Sequence, residues 1–149
     1  MLDRLKTLIT QLSQDQEAPT SNVSYEKAVA ALLIEVMLAD ESIDEREKDS
    51  VLALIKKETK LEDINELYQE MKAFVEEAHD LFQFTKAINE VADKNMKEQL
   101  MLSLWRVAFA DGVLNEHEDY RIRRISELLY VPHSVFIQTK LAAQAEKSA

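Results

Sequence analysis

Apolar residues recur at helical spacing along almost the whole chain. Leu2, Leu5, Leu8, Ile9 and Leu12 follow one another at three- and four-residue intervals, which predicts a short amphipathic helix over 2–12. Residues 13–24 (SQDQEAPTSNVS) are polar, include Pro19 and read as a linker. Ser24 suits the N-cap of the next helix. AVAALLIEVMLA (28–39) is apolar nearly all round apart from Glu35, and a helix with so little polar face belongs at the centre of a bundle. Amphipathic patterns follow over about 45–58 (Val51, Leu52, Leu54, Ile55), 61–78 (Leu67, Met71, Phe74, Val75) and 81–92 (Phe82, Phe84, Ile88, Val91). Asn95 and Glu98 have the spacing of a capping box. They open a helix that runs through a second apolar stretch, MLSLWRVAFA (101–110). A shorter helix is predicted over 116–129, Pro132 breaks the chain, and a last helix covers 134–145.

One Gly and two Pro in 149 residues leave little of the turn chemistry that hairpins and sheets require. The expected fold is therefore all-α: a single-domain bundle of about seven or eight helices over 24–149, preceded by an N-terminal amphipathic helix and linker over 1–23.

The chain also repeats itself. A shift of 71 residues lays ALLIEVMLADESIDEREKDSVLALI (31–55) on LSLWRVAFADGVLNEHEDYRIRRIS (102–126). Ala39-Asp40 meets Ala110-Asp111, Ile43 meets Leu114, Asp44 meets Asn115, Glu45 meets Glu116, and Glu47 meets Glu118. The shared pattern, A-D-x-x-[IL]-[DN]-E-x-E, follows an apolar helix and opens an amphipathic one. It predicts two helix–loop–helix repeats related by a pseudo-two-fold axis, with their central helices packed together. Glu35 and Arg106 correspond as well, each the lone charge of its apolar helix. A buried charge is costly unless paired, so these two are expected to form a buried ion pair with one another, or each to meet an opposite charge nearby.

LLIEVMLADESIDEREK and SLWRVAFADGVLNEHEDYRIRRISELL resemble the two halves of a TerB-like domain. That family contains the tellurite-resistance TerB proteins and is related to the N-terminal region of a membrane-anchored DnaJ-type co-chaperone. The resemblance covers about residues 25–140. The A-D-G-x-L pattern of the second half is typical of the family. The first half has Glu41 where the second has Gly112, and since Glu tolerates positive φ poorly, the first loop is expected to differ in backbone geometry. The resemblance implies an all-helical fold, a loose link to metal-oxyanion and other stress, no defined enzymatic activity, and cation binding at the acidic loop positions.

The residues themselves leave two readings of those loops. In one, Asp40, Asp44 and Glu47 converge on a divalent cation, and Asp111, Asn115 and Glu118 on another; Ca²⁺, Mg²⁺ and Zn²⁺ are the candidates. In the other, Asp44-x-x-Glu47 and Asn115-x-x-Glu118 are capping boxes that satisfy helix N–H groups, and Asp40 and Asp111 accept from loop N–H groups. An EF-hand is excluded. Counting from Asp40 or Asp111 as position one, position twelve is Val51 or Ile122 instead of the required Glu.

The net charge of -10 disfavours direct nucleic-acid binding. The absence of Cys excludes disulfides, thiolate metal sites and thiol nucleophiles. No stretch approaches the ~20 apolar residues of a membrane span, and the start, MLDRLKTLIT, lacks a secretory pattern, so a cytoplasmic location is expected. His79, His117 and His133 are scattered; His117 could join Glu116 or Glu118 at zinc, or simply be solvated. Arg121, Arg123 and Arg124 either balance Glu116, Glu118 and Asp119 or meet an acidic partner. The expected role is a non-enzymatic module with protein partners, membrane-associated ones included, in metal or general stress response. A dedicated metal-ion binding protein and an enzyme of unknown type are the alternatives. The 2–12 helix has three destinations open to it: its own domain, a partner or a membrane surface.

Overall fold

A computed structural model describes residues 23–40, 45–77 and 80–148. The predicted 2–12 helix, most of the linker, Glu41, Asp44 and His79 lie outside the described residues. Within them the fold is all-α, with seven helices: α1 (Tyr25–Leu38), α2 (Glu45–Thr59), α3 (Asn65–Glu77), α4 (Phe82–Val91), α5 (Lys94–Ala108), α6 (Glu116–Leu128) and α7 (His133–Ser148).

Ser24 caps α1, its side chain accepting from the Lys27 N–H at 3.1 Å. Every residue from Ala28 to Met37 is buried. A helix apolar all round can lose its whole surface to neighbours, and α1 does so by packing against α2, α3, α4, α5 and α6. The second apolar helix, α5, buries Leu100, Met101, Leu104, Trp105 and Val107 against α1, α2, α6 and α7. The Trp105 and Phe136 rings meet edge to face at 5.1 Å across the α5–α7 contact.

Two sequence expectations are corrected, and the alternative left open for Glu35 and Arg106 is decided in favour of separate counter-ions. Asn95 does not cap α5. The helix begins at Lys94, and Asp93, in extended backbone, accepts from the Met96 N–H at 2.8 Å. Two residues earlier in the chain, a carboxylate supplies the cap that the Asn95-x-x-Glu98 spacing suggested. The third helix starts at Asn65, later than 61: Lys60, with a left-handed φ of 61°, ends α2, residues 61–64 are irregular, and Asp63 Oδ1 accepts from the Asn65 N–H at 3.4 Å. Finally, Glu35 and Arg106 do not pair with one another. Glu35 meets Arg121 of α6 at 3.1 Å, and Arg106 grips Glu146 of α7 through Nε and Nη2 at 2.9 and 2.8 Å. Each lone charge faces an outer helix that brings its counter-ion. Burial pushes the Glu35 carboxyl up, with Arg121 opposing.

Candidate metal centre

Four carboxylates stand at four helix ends, the ends of α1 and α5 and the starts of α2 and α6. Asp40 follows the last turn of α1, with its N–H bonded to the Met37 carbonyl at 3.4 Å. Glu47 lies in the first turn of α2 and points into the fold, 1% exposed. Asp111 follows α5. Its Oδ1 accepts from the Val113 N–H at 3.0 Å around Gly112, whose φ of 91° is open to glycine and strained for other residues. Glu118 lies in the first turn of α6 and is 0% exposed.

Asp40, Glu47 and Asp111 each bring one carboxylate oxygen within 4.8 Å of the other two. Glu118 stands beside these three rather than among them: its carboxyl feels the charges of Glu47, Asp40 and Asp111. Both oxygens of Glu47 and Oε2 of Glu118 are buried without a hydrogen-bond donor. Ionised carboxylates can only accept, so a knot of them cannot satisfy itself unless some hold protons or a cation enters. Burial first, and then the charges of Asp40 and Asp111, push the Glu47 carboxyl up to about 7. Burial and the charge of Glu47 push Glu118 up to about 8, against the Asn115 N–H, which favours its ionised form. Like charges in one desolvated site resist ionising together, and Glu47 and Glu118, each raised in part by the acidic groups around it, hold their protons toward neutral pH.

Two acidic groups were expected, one per copy; among the described residues, Asp40 and Glu47 of the first copy meet Asp111 of the second in one cluster. Asn115 is not brought in as a ligand: its Oδ1 accepts from the His117 N–H at 2.7 Å as the N-cap of α6, while Glu118 Oε1 accepts from the Asn115 N–H at 3.3 Å. The capping reading therefore holds for the second copy, and Glu118 serves the cap beside the cluster. Asp44 lies outside the described residues. His117 is exposed and outside the cluster, and His133 is exposed and stacks on Phe136 at 5.7 Å.

A signal for the shared site was present in the sequence. Glu47 continues the inward stripe of Val51 and Ile55, and Glu118 that of Ile122 and Ile125. A glutamate in register with a buried apolar stripe is placed to be buried itself. The cationic run after the second loop is absorbed within the fold: Arg121 pairs with Glu35, Arg123 lies 3.6 Å from Asp119 and over the Phe136 ring, and Arg124 meets Glu127.

The cluster fits a hard cation. Its donors are all carboxylate oxygens, the set that Ca²⁺ and Mg²⁺ prefer, and it offers none of the nitrogen or sulfur ligands typical of zinc. A family model described as tellurite resistance protein TerB matches residues 26–141. No curated protein and no solved structure matches the chain.

Proposed function

The chain belongs to the TerB family, tellurite resistance protein TerB, and on that premise we propose that it is a non-enzymatic helical module binding one divalent cation between its two helix–loop–helix units. The observation that carries this reading is Glu47. It is almost fully buried, both of its oxygens lack a donor, and the carboxylates of Asp40 and Asp111 stand within reach of the same ion. Such a group is costly to bury with no counter-charge, and a cation would remove that cost. Because the ligands come from the starts of α2 and α6 and the ends of α1 and α5, a bound ion would tie four helix ends together. Cation supply would thereby become a condition of the shape that protein partners meet. The setting would be a cytoplasmic or membrane-proximal assembly in metal or general stress response.

Calorimetric titration of the chelator-stripped protein with Ca²⁺, Mg²⁺ and Zn²⁺ tests this. The expected result is one ion per chain, with an oxygen-preferring ion bound ahead of Zn²⁺ and binding lost in Glu47→Gln. No heat, together with no change in melting temperature at millimolar metal, ends the proposal.

A further inference from the structure

Tyr130 is held in a costly way and left uncovered. Helix α6 ends in a Schellman arrangement, in which the Val131 N–H reaches the Ser126 carbonyl at 2.9 Å and the Tyr130 N–H reaches that of Glu127 at 3.1 Å. The residue at this turn takes φ 58°, a position that glycine usually fills because a side chain is strained there. Here it is a tyrosine, 80% exposed. Its ring stands between two hollows. One, of about 440 Å³, is lined by Ala92, Val131, Pro132 and Val135 with Lys94 and Lys97. The other, of about 300 Å³, is lined by Phe82, Asn89 and Leu128 with Lys86. Phe82 and Val91 are exposed along the same helix, α4. Together they form an apolar groove whose rim carries Lys86, Lys94 and Lys97 and also Glu90, Glu98 and Glu127.

We propose that the apolar face of residues 2–12 (Leu2, Leu5, Leu8, Ile9, Leu12) seats in this groove, straddling Tyr130. This reading is independent of the cation site. The entry point of the chain supports it. Tyr25, in the first turn of α1, has its hydroxyl raised by burial and then by the charges of Glu58, Glu26 and Asp93, and Asp93 stands between Ala92 and Lys94 of the groove wall. The ten residues 13–22 extend to about 33 Å at most, ample to lay 2–12 along α4 and the start of α7. The tether holds the segment at an effective concentration on the order of millimolar, so a face of four leucines and an isoleucine needs little intrinsic affinity to stay docked.

The chain has no cysteine, which makes the test direct. In the full-length protein, Leu8→Cys with Val135→Cys should give an intramolecular product with a short bis-maleimide at micromolar protein. Leu8→Cys with Leu141→Cys, an exposed position of α7 outside the groove, should not. Covalent dimers instead of monomers would assign the groove to a second copy and overturn the proposal, as would equal yields from the two pairs. Independently, Leu5→Asp with Leu8→Asp in the otherwise cysteine-free chain should raise amide exchange of 127–135 at least tenfold. Unchanged exchange, or protection of 2–12 that arises only on adding phosphatidylserine vesicles, would overturn it too.

Discussion

At the scale of a single residue, Glu47 decides most of what this protein can do. Its carboxyl is raised from 4.5 to about 7. Below pH 4.5 it is protonated in both the folded and the unfolded chain, and its contribution to stability is fully present. As pH rises toward 7 the unfolded chain releases the proton first, so that contribution is lost through the window from 4.5 to 7, on the order of 2–3 kcal/mol. Glu118, raised to about 8, extends the loss upward. Metal-free Glu47→Gln is therefore expected to melt above the parent at pH 8 and close to it at pH 4.5, because the amide keeps the shape, cannot ionise and can donate to Asp40 or Asp111. Thermal melts of both proteins in chelator across that range check the sign. A gap that widens toward acid would contradict the buried-carboxylate account. Arg121 carries a second prediction at this scale. Arg121→Ala strands the Glu35 carboxylate beneath α6 and should cost about 1–2 kcal/mol, discounted from a fully buried pair because Arg121 is itself 39% exposed. Arg121→Ala with Glu35→Met should recover most of that loss in a denaturant titration.

At the scale of elements, the helices were legible and their exact starts were not. Periodicity places all seven, since a 3.6-residue stripe is a property of the chain itself. Caps depend on which nearby side chain reaches the free N–H groups first, and two candidates two residues apart look alike in one dimension. Asp93 wins over Asn95 at the start of α5. Asp93→Ala should accordingly destabilise by about 1 kcal/mol and Asn95→Ala by no more than about 0.5, readable as midpoints in urea. The exposed face of α3 shows the same limit. Phe74, which the stripe turned inward, is 42% exposed and only edges onto Phe84 at 5.7 Å.

For the whole molecule, the consequence is a coupling between ion and fold. An ion that binds the native cluster and not the unfolded chain stabilises by about 2.7 kcal/mol at a hundred times its dissociation constant. For a domain of this size, that is a rise in melting temperature of roughly 5–10 °C. Saturating Ca²⁺ or Mg²⁺ at pH 7.5 should produce such a rise in the parent protein. Glu47→Gln/Glu118→Gln, which removes the two most deeply buried carboxylates, should abolish it while folding normally. A parent protein whose melting ignores the ion would leave the cluster as a purely protonated, structural knot.

By itself the sequence determined the helical class, the two apolar central helices and the identity of the acidic positions. All of these follow from spacing and side-chain chemistry along one chain. Only the tertiary structure decided that Asp40, Glu47 and Asp111 lie within reach of one another, that Glu35 and Arg106 each take a counter-ion from an outer helix, and that Tyr130 is left standing in a groove. Those outcomes depend on which helix faces meet, and meetings between residues some seventy positions apart are set by the packing of the core as a whole.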